Sequence, residues 1–306
     1  MILDILLEVV LPVFVLIGVG SLMQRVFELD LYTLAKINFY FITPAAVFMS
    51  MYLSEMSGEL LGTIALFYAL YSLILYLIGC IVAKSFKFNK GMKAAFNNSI
   101  MLDNAGNYGM PISALVFKGD PLAASIQAFI MSMQSLLTFT YGVLSIQGAQ
   151  LKGNYRSLIV GFLKMPIPYA LLLGILWNAL DAPLPTFLSM PLTYAQQSMV
   201  AVALLTLGAQ IVKYPLRLGR ITVYVSMFIR LLIAPVIGIA LVYLLGLEGL
   251  TAQALIIASG MPTGVNASIL AEEYRNEPDF AAQTVLISTL FNVVTLIGLI
   301  AIARTF

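Results

Sequence analysis

Ten runs of about 20 mostly apolar residues, parted by short charged or Gly/Pro-containing stretches, dominate this chain and fix its solvent. In hydrocarbon every backbone N–H and C=O must find a partner within the protein, so runs of this length read as spanning α-helices. They cover roughly 5–24, 32–53, 60–84, 92–117, 121–146, 158–179, 187–212, 220–245, 250–272 and 279–303. Composition agrees: 61% of residues are hydrophobic, 10% are charged and mean hydropathy is +0.98, where a soluble domain carries about 25% charge. The seventh run is the weakest, because Gln196, Gln197 and Ser198 interrupt it. The first has Asp4 and Glu8 in place of a basic flank, so it reads as a retained span and not a cleaved signal.

Lys and Arg give the runs a direction. Alternate loops hold Arg25; Lys84, Lys87, Lys90 and Lys93; Lys152 and Arg156; Lys213, Arg217 and Arg220; and Arg275. The opposite set holds little beyond Lys118 and Arg304, and carries Glu55, Glu59, Asp181 and Glu248. The positive-inside rule puts the basic loops in the cytoplasm and both termini outside. The loop after the ninth run is mostly acidic (Glu272, Glu273, Glu277, Asp279) and is assigned to the cytoplasm by alternation alone.

Two runs are interrupted by the same triplet. The fourth reads Asn104-Ala105-Gly106-Asn107-Tyr108-Gly109-Met110-Pro111, and the ninth reads Gly260-Met261-Pro262-Thr263-Gly264-Val265-Asn266. Their prolines lie 262 − 111 = 151 residues apart in a chain of 306. Proline removes a backbone donor and clashes with the preceding turn, so each helix is expected to break at the triplet. Other matches keep the same order: Pro12/Gly18 with Pro168/Gly174, Ala123-Ala124 with Ala281-Ala282, and Gln134 with Asn292. Five spans per copy is an odd number, so the second copy enters the membrane inverted. The expected fold is all-α, with ten transmembrane helices as two inverted five-helix repeats, 1–149 and 150–306, joined by the polar run Gln147–Ser157. Paired breaks at matching places in inverted repeats point to a transporter's binding site at the bilayer midplane.

The Asn-x-Gly-Asn-x-Gly-x-Pro run at 104–111 and the Gly-Met-Pro-x-Gly-x-Asn run at 260–266, set in ten spans, resemble the auxin efflux carrier family over the whole chain. That family includes bacterial organic-acid permeases, and its wider superfamily the sodium–bile acid symporters. The resemblance implies a scaffold of spans 1, 2, 6 and 7, a transport domain of spans 3–5 and 8–10, and broken helices 4 and 9 crossing near the midplane beside the substrate. It implies elevator-type alternating access in the cytoplasmic membrane and a homodimer formed through the scaffold. It also implies that Asn104 or Asn107, with Asn266, helps hold a carboxylate. Plant efflux carriers commonly have a long cytoplasmic loop between spans five and six. This chain lacks it, which makes auxin itself an unexpected substrate.

The breaks have a chemistry of their own. A half-helix starting after each break, with Pro111 or Pro262 in its first turn, exposes unpaired N–H groups and a partial positive charge. Two such ends make an anion site without a cationic side chain. Gly106, Gly109 and Gly264 permit close backbone approach. Asn104, Asn107, Thr263 and Asn266 add neutral donors and acceptors, and Tyr108 sits inside the break. The alternative is a pair of proline kinks held by local polar groups.

Asp103 is the one acid deep in a span. It stands ten residues past Lys93, and Arg230 ten residues past Arg220, or about 15 Å at helical rise. An ionisable group at that depth costs about 2.5–3.5 kcal/mol on insertion scales and marks a candidate functional site. Asp103 is a candidate proton or Na⁺ site with Arg230, Gln134 and Asn292 beside it. Equally, Asp103 and Arg230 form a static buried pair, and Gln134 and Asn292 are interhelical hydrogen bonds. Lys164 is close enough to a membrane end to snorkel.

Several classes are excluded. Histidine is absent, Cys80 is alone, and there is no Gly-x-Ser-x-Gly, no Walker A sequence and no second midplane acid. Enzymatic catalysis, ATP-driven pumping, a disulfide framework and a Cys-based zinc site are not expected. No cofactor or metal is expected beyond H⁺ or Na⁺, and no basic patch points to nucleic acid. The expected function is secondary active transport of a small organic anion. The alternatives are sodium-coupled symport of a larger amphipathic anion, or a channel or sensor on the same fold.

Overall fold

The computed structural model describes residues 2–149, 163–213, 215–217 and 219–306. The described chain is helical, with no strand, and seven of its helices are long and apolar enough to cross a membrane. In order, the helices are α1 (Ile2–Phe27), α2 (Leu31–Tyr52), α3 (Gly58–Ser85), α4 (Lys90–Met101), α5 (Met110–Val116), α6 (Pro121–Ala149), α7 (Pro166–Ala179), α8 (Thr186–Lys213), α9 (Ile221–Leu244), α10 (Gly249–Ser259), α11 (Val265–Glu273) and α12 (Pro278–Ala303). The fourth predicted run is α4 and α5, and the ninth is α10 and α11. The start of the sixth run, with Lys152 and Arg156, lies outside the described residues.

Local chemistry sets the boundaries. Side chains of Asp30, Ser57, Asn89 and Asp120 accept hydrogen bonds from the first-turn N–H groups of α2, α3, α4 and α6. Pro121, Pro166 and Pro278 stand at helix starts, where a missing donor costs nothing. The polar trio at 196–198 does not interrupt α8. Instead Gln196 Nε2 donates to Ser50 Oγ on α2 at 3.3 Å.

Four prolines share a local arrangement that the sequence did not announce. Pro12, Pro44, Pro111 and Pro235 each follow a five-residue π-turn: Leu6–Val10, Asn38–Ile42, Ala105–Gly109 and Ile229–Ile233. The wider turn accommodates the ring and the missing N–H without ending the helix. Pro111 therefore does not break its helix. The fourth run breaks eight residues earlier, around Asp103, and helical winding resumes at Ala105.

Four helices pack as one group. α1 lies along α8, α2 along α7, and α2 also contacts α8. The contact is close because it is made at glycines. A Cβ at Gly20 would strike the backbone of Leu205, one at Gly208 the backbone of Ile17, and one at Gly174 the backbone of Phe48 and the side chain of Met51. Small residues are what allow helices to approach in lipid, where there is no hydrophobic drive between them. At the basic end, Arg220 pairs with Glu277 at 2.8 Å and Arg217 with Asp279 at 3.5 Å, while Asn276 Nδ2 donates to Gly91 O at 3.1 Å. The acidic loop after α11 thus sits at the same end as the Lys84–Lys93 and Lys213–Arg220 loops.

Candidate functional site: the paired break and its cavity

The two interruptions meet. Leu102–Asn104 and Pro262–Gly264 run antiparallel, with Asn104 N–H donating to Pro262 O at 2.9 Å and Gly264 N–H to Leu102 O at 2.7 Å. Buried backbone must be paired, and here each broken segment supplies the other's partner. Gly264 is required for approach alone: its φ is −71°, but a Cβ would strike the backbone of Asp103 and Leu102.

The pairing corrects the triplet reading. Gly109-Met110-Pro111 lies within a helix, whereas Gly260-Met261-Pro262 lies in the non-helical stretch ahead of α11. Partners in the bridge, Asp103 and Thr263, are 263 − 103 = 160 residues apart, not the 151 of the prolines. That spacing lies close to the 158 that relates Gln134 to Asn292. Neither proline stands in the first turn after its break. Winding resumes at Ala105, ahead of Pro111, and at Val265, beyond Pro262.

One face of the junction is closed by side-chain donors. Arg230, wholly buried in α9, donates from Nε to Met261 O at 2.8 Å, from Nη1 to Ile100 O at 3.0 Å, and from Nη2 to Ser259 O at 2.6 Å and Tyr71 Oη at 2.8 Å. Those carbonyls sit at or just past the ends of α4 and α10, where the helix leaves C=O groups unpaired and partly negative. Gln134 Nε2 donates to Asp103 O and Asn292 Nδ2 to Gly260 O, each at 2.9 Å. Thr263 Oγ1 donates to Ser99 O at 2.8 Å, and Thr263 N–H to Ser288 Oγ at 3.1 Å. The Asp103–Arg230 contact is an ion pair at 3.8 Å, longer than any of the Arg230 hydrogen bonds.

The other face borders a cavity of about 560 Å³. It runs from exposed Tyr32, Lys36 and Glu273 down to buried Asp103 and Asn104. Asn107, Asn266 and Gln134 also line it, so five of the eleven residues singled out in the sequence share one cavity. The other six do not line it: Tyr108, Pro111, Pro262, Thr263, Arg230 and Asn292. Tyr108 and Thr263 are fully buried. The sequence reading missed Lys36, Asn38, Thr206 and Gln210, which α2 and α8 bring to the opposite wall. Asn38 Nδ2 donates to Asn107 Oδ1 at 2.7 Å across the cavity. The signal available was a polar residue inside an apolar run, which in lipid marks an interior face. Gly264, Val265 and Asn266 line this space where α11 starts, and Gly106 and Asn107 line it in the turn after Asn104.

This arrangement suits a transport protein. The chain matches the Membrane transport protein family over residues 5–300. It belongs to that family. The auxin efflux carriers are also members, which bears out the resemblance read from the two break motifs. An uncharacterized transporter of Methanothermobacter thermautotrophicus is 25% identical over 297 residues, covering 94% of this chain and 95% of the relative. An uncharacterized transporter of Methanocaldococcus jannaschii is 22% identical over 304 residues, covering 95% and 96%. The family is one of transporters and not of enzymes, and its members, like this chain, are integral membrane proteins.

Proposed function

We propose that this chain is a secondary active carrier of small organic anions, with the carboxylate held against the paired break. One observation carries the reading: a cavity of about 560 Å³ whose buried floor is Asp103 and Asn104, with Asn107 and Asn266 beside them. Asparagine amides and free helix-start N–H groups attract a carboxylate without holding it as tightly as an arginine fork would, which suits a ligand that must be released.

On this reading the chain is two inverted repeats, 1–149 and 150–306. α1, α2, α7 and α8 are a static scaffold, and the remaining helices move as an elevator. The grouped packing of those four helices supports the division, as does a cavity walled by α2 and α8 on one side and the break on the other. By the positive-inside rule the open end faces the cytoplasm, with both termini outside. Dimerisation through the scaffold completes the proposal. Asp103 favours a second element, coupling to H⁺ or Na⁺, because its carboxylate receives no hydrogen bond from Arg230. Arg230, Gln134 and Asn292 have committed donors to carbonyls of the junction, so their part in coupling would be to position it.

The test is thermal unfolding of purified protein across a panel of mono- and dicarboxylates. Asn104→Ala and Asn266→Ala should weaken the response by about 0.5–1.5 kcal/mol for each lost hydrogen bond, with apo stability nearly unchanged. Carboxylates that stabilise both variants like the parent would move the site elsewhere.

A further inference from the structure

We propose that the transported carboxylate carries a protonated amino group on the adjacent carbon, the chemistry of an α-amino acid zwitterion. This rests on the reading above, that a carboxylate occupies the cavity, and gives Asp103 to the substrate in place of a coupling ion.

Two adjacent residues on the cavity floor are unsatisfied in opposite senses. Asp103 Oδ1, an acceptor, and Asn104 Nδ2, a donor, are both buried without a hydrogen-bond partner. The residues are 3% and 5% exposed and both line the cavity. Leaving either buried group unpaired is costly, the carboxylate more so. Arg230 does not relieve Asp103. The nearest guanidinium nitrogen, Nη2, is 3.8 Å from Oδ2, and its two hydrogens already go to Tyr71 Oη and Ser259 O. Gln134, the neighbouring amide, donates to the main-chain oxygen of Asp103 and not to its carboxylate.

A plain carboxylate ligand fits only half of this floor. Asn104 and the helix start at Val265 would attract it, and the Asp103 carboxylate would repel it. A ligand that brings its own cation one carbon away removes the conflict. Its carboxylate goes to the amide and backbone donors, and its ammonium, which has three donors and no acceptor, goes to Asp103. The volume lies within the range of small-molecule sites, roughly 300–1,000 Å³. Phe39, Met131, Phe139, Ile167 and Ile269 line the remaining wall and suit an apolar substituent.

Matched ligands test this by thermal unfolding of the full-length protein in sodium-free buffer. Leucine is compared with 4-methylpentanoate, which lacks the amino group, and 3-methylbutylamine, which lacks the carboxylate. Phenylalanine is compared with 3-phenylpropanoate and 2-phenylethylamine. The amino acids should half-saturate at about tenfold lower concentration than the acids, equivalent to about 1.4 kcal/mol. Asp103→Asn should erase that preference while leaving the des-amino acids bound. If that variant does not fold, the preference of the parent protein still decides. Des-amino acids that bind as well as the amino acids overturn the proposal but keep the organic-anion reading. Amines that bind without carboxylates, or silence across both series, overturn both. Stabilisation by NaCl over choline chloride that Asp103→Asn abolishes, without any amino-group preference, assigns the carboxylate to a coupling ion and overturns the proposal.

Discussion

The paired break has two faces that the protein treats in opposite ways. On the Arg230 face, carbonyls of Ile100, Ser259, Gly260 and Met261 receive side-chain donors from three helices: Arg230 of α9, Tyr71 of α3 and Asn292 of α12. On the cavity face, Asp103 Oδ1 and Asn104 Nδ2 have no partner, and Asn107 is met from the far wall by Asn38. The same two interruptions thus have a saturated side and an unsaturated one. The difference separates structure from function at a single junction. Saturated groups hold the break together in lipid, and unsaturated groups are what a ligand can satisfy.

The largest expected effect tests the saturated face. Arg230→Ala strands carbonyls from both broken helices, and removing such a buried charged partner typically costs about 3–5 kcal/mol. Unfolding of the variant in detergent should show a loss of that order, or no folded protein at all. A fall of less than about 1 kcal/mol would mean the junction is not held from this side.

Next come Gln134→Ala and Asn292→Ala. Each frees one buried carbonyl of the junction, at Asp103 and at Gly260, which predicts a loss of about 1–3 kcal/mol apiece. The two losses should be alike, because the two amides do the same job 158 residues apart. A cost confined to one of them would break the likeness between the halves.

Asp103→Asn should be milder than either. If Asp103 and Arg230 were simply an ion pair, removing either partner would cost alike. The contacts say otherwise, since Arg230 makes its hydrogen bonds to other groups and meets Asp103 only at 3.8 Å. We expect less than about 1 kcal/mol for Asp103→Asn, and a double variant Asp103→Asn, Arg230→Gln no more stable than Arg230→Gln alone. Recovery of stability in the double variant would restore the simple pair.

These contrasts also show how much was legible beforehand. Seven of the ten expected spans were, because lipid admits few alternatives to about 20 apolar residues in a helix: the predicted 60–84 and 279–303 became Gly58–Ser85 and Pro278–Ala303. Asp103, Asn104, Asn107, Gln134 and Asn266 were legible as cavity residues because polar groups in a span must face inward. The Gly-Met-Pro triplets led to the right neighbourhood by the wrong equivalence. Pro111 does not end its helix because the π-turn at Ala105–Gly109 accommodates it. Thr263 was read as a ligand group and donates instead to Ser99 O. The carbonyl acceptors of Arg230 were not legible at all, since main-chain oxygens leave no mark in the sequence. Lys36, Asn38, Thr206 and Gln210 belong to helices whose place opposite the break is set by packing at Gly20, Gly174 and Gly208.

The measurement that tests the two-faced junction most directly is thiol labelling of single cysteines in a Cys80→Ala background. Cysteines at 107 and 266 face the cavity, and those at 108 and 263 lie at fully buried positions of the same two segments. The account predicts that a small methanethiosulfonate reagent modifies 107 and 266 and leaves 108 and 263 untouched, and that a stabilising carboxylate slows the first pair. Equal modification of all four, or reaction at 107 and 266 that no carboxylate slows, would contradict it.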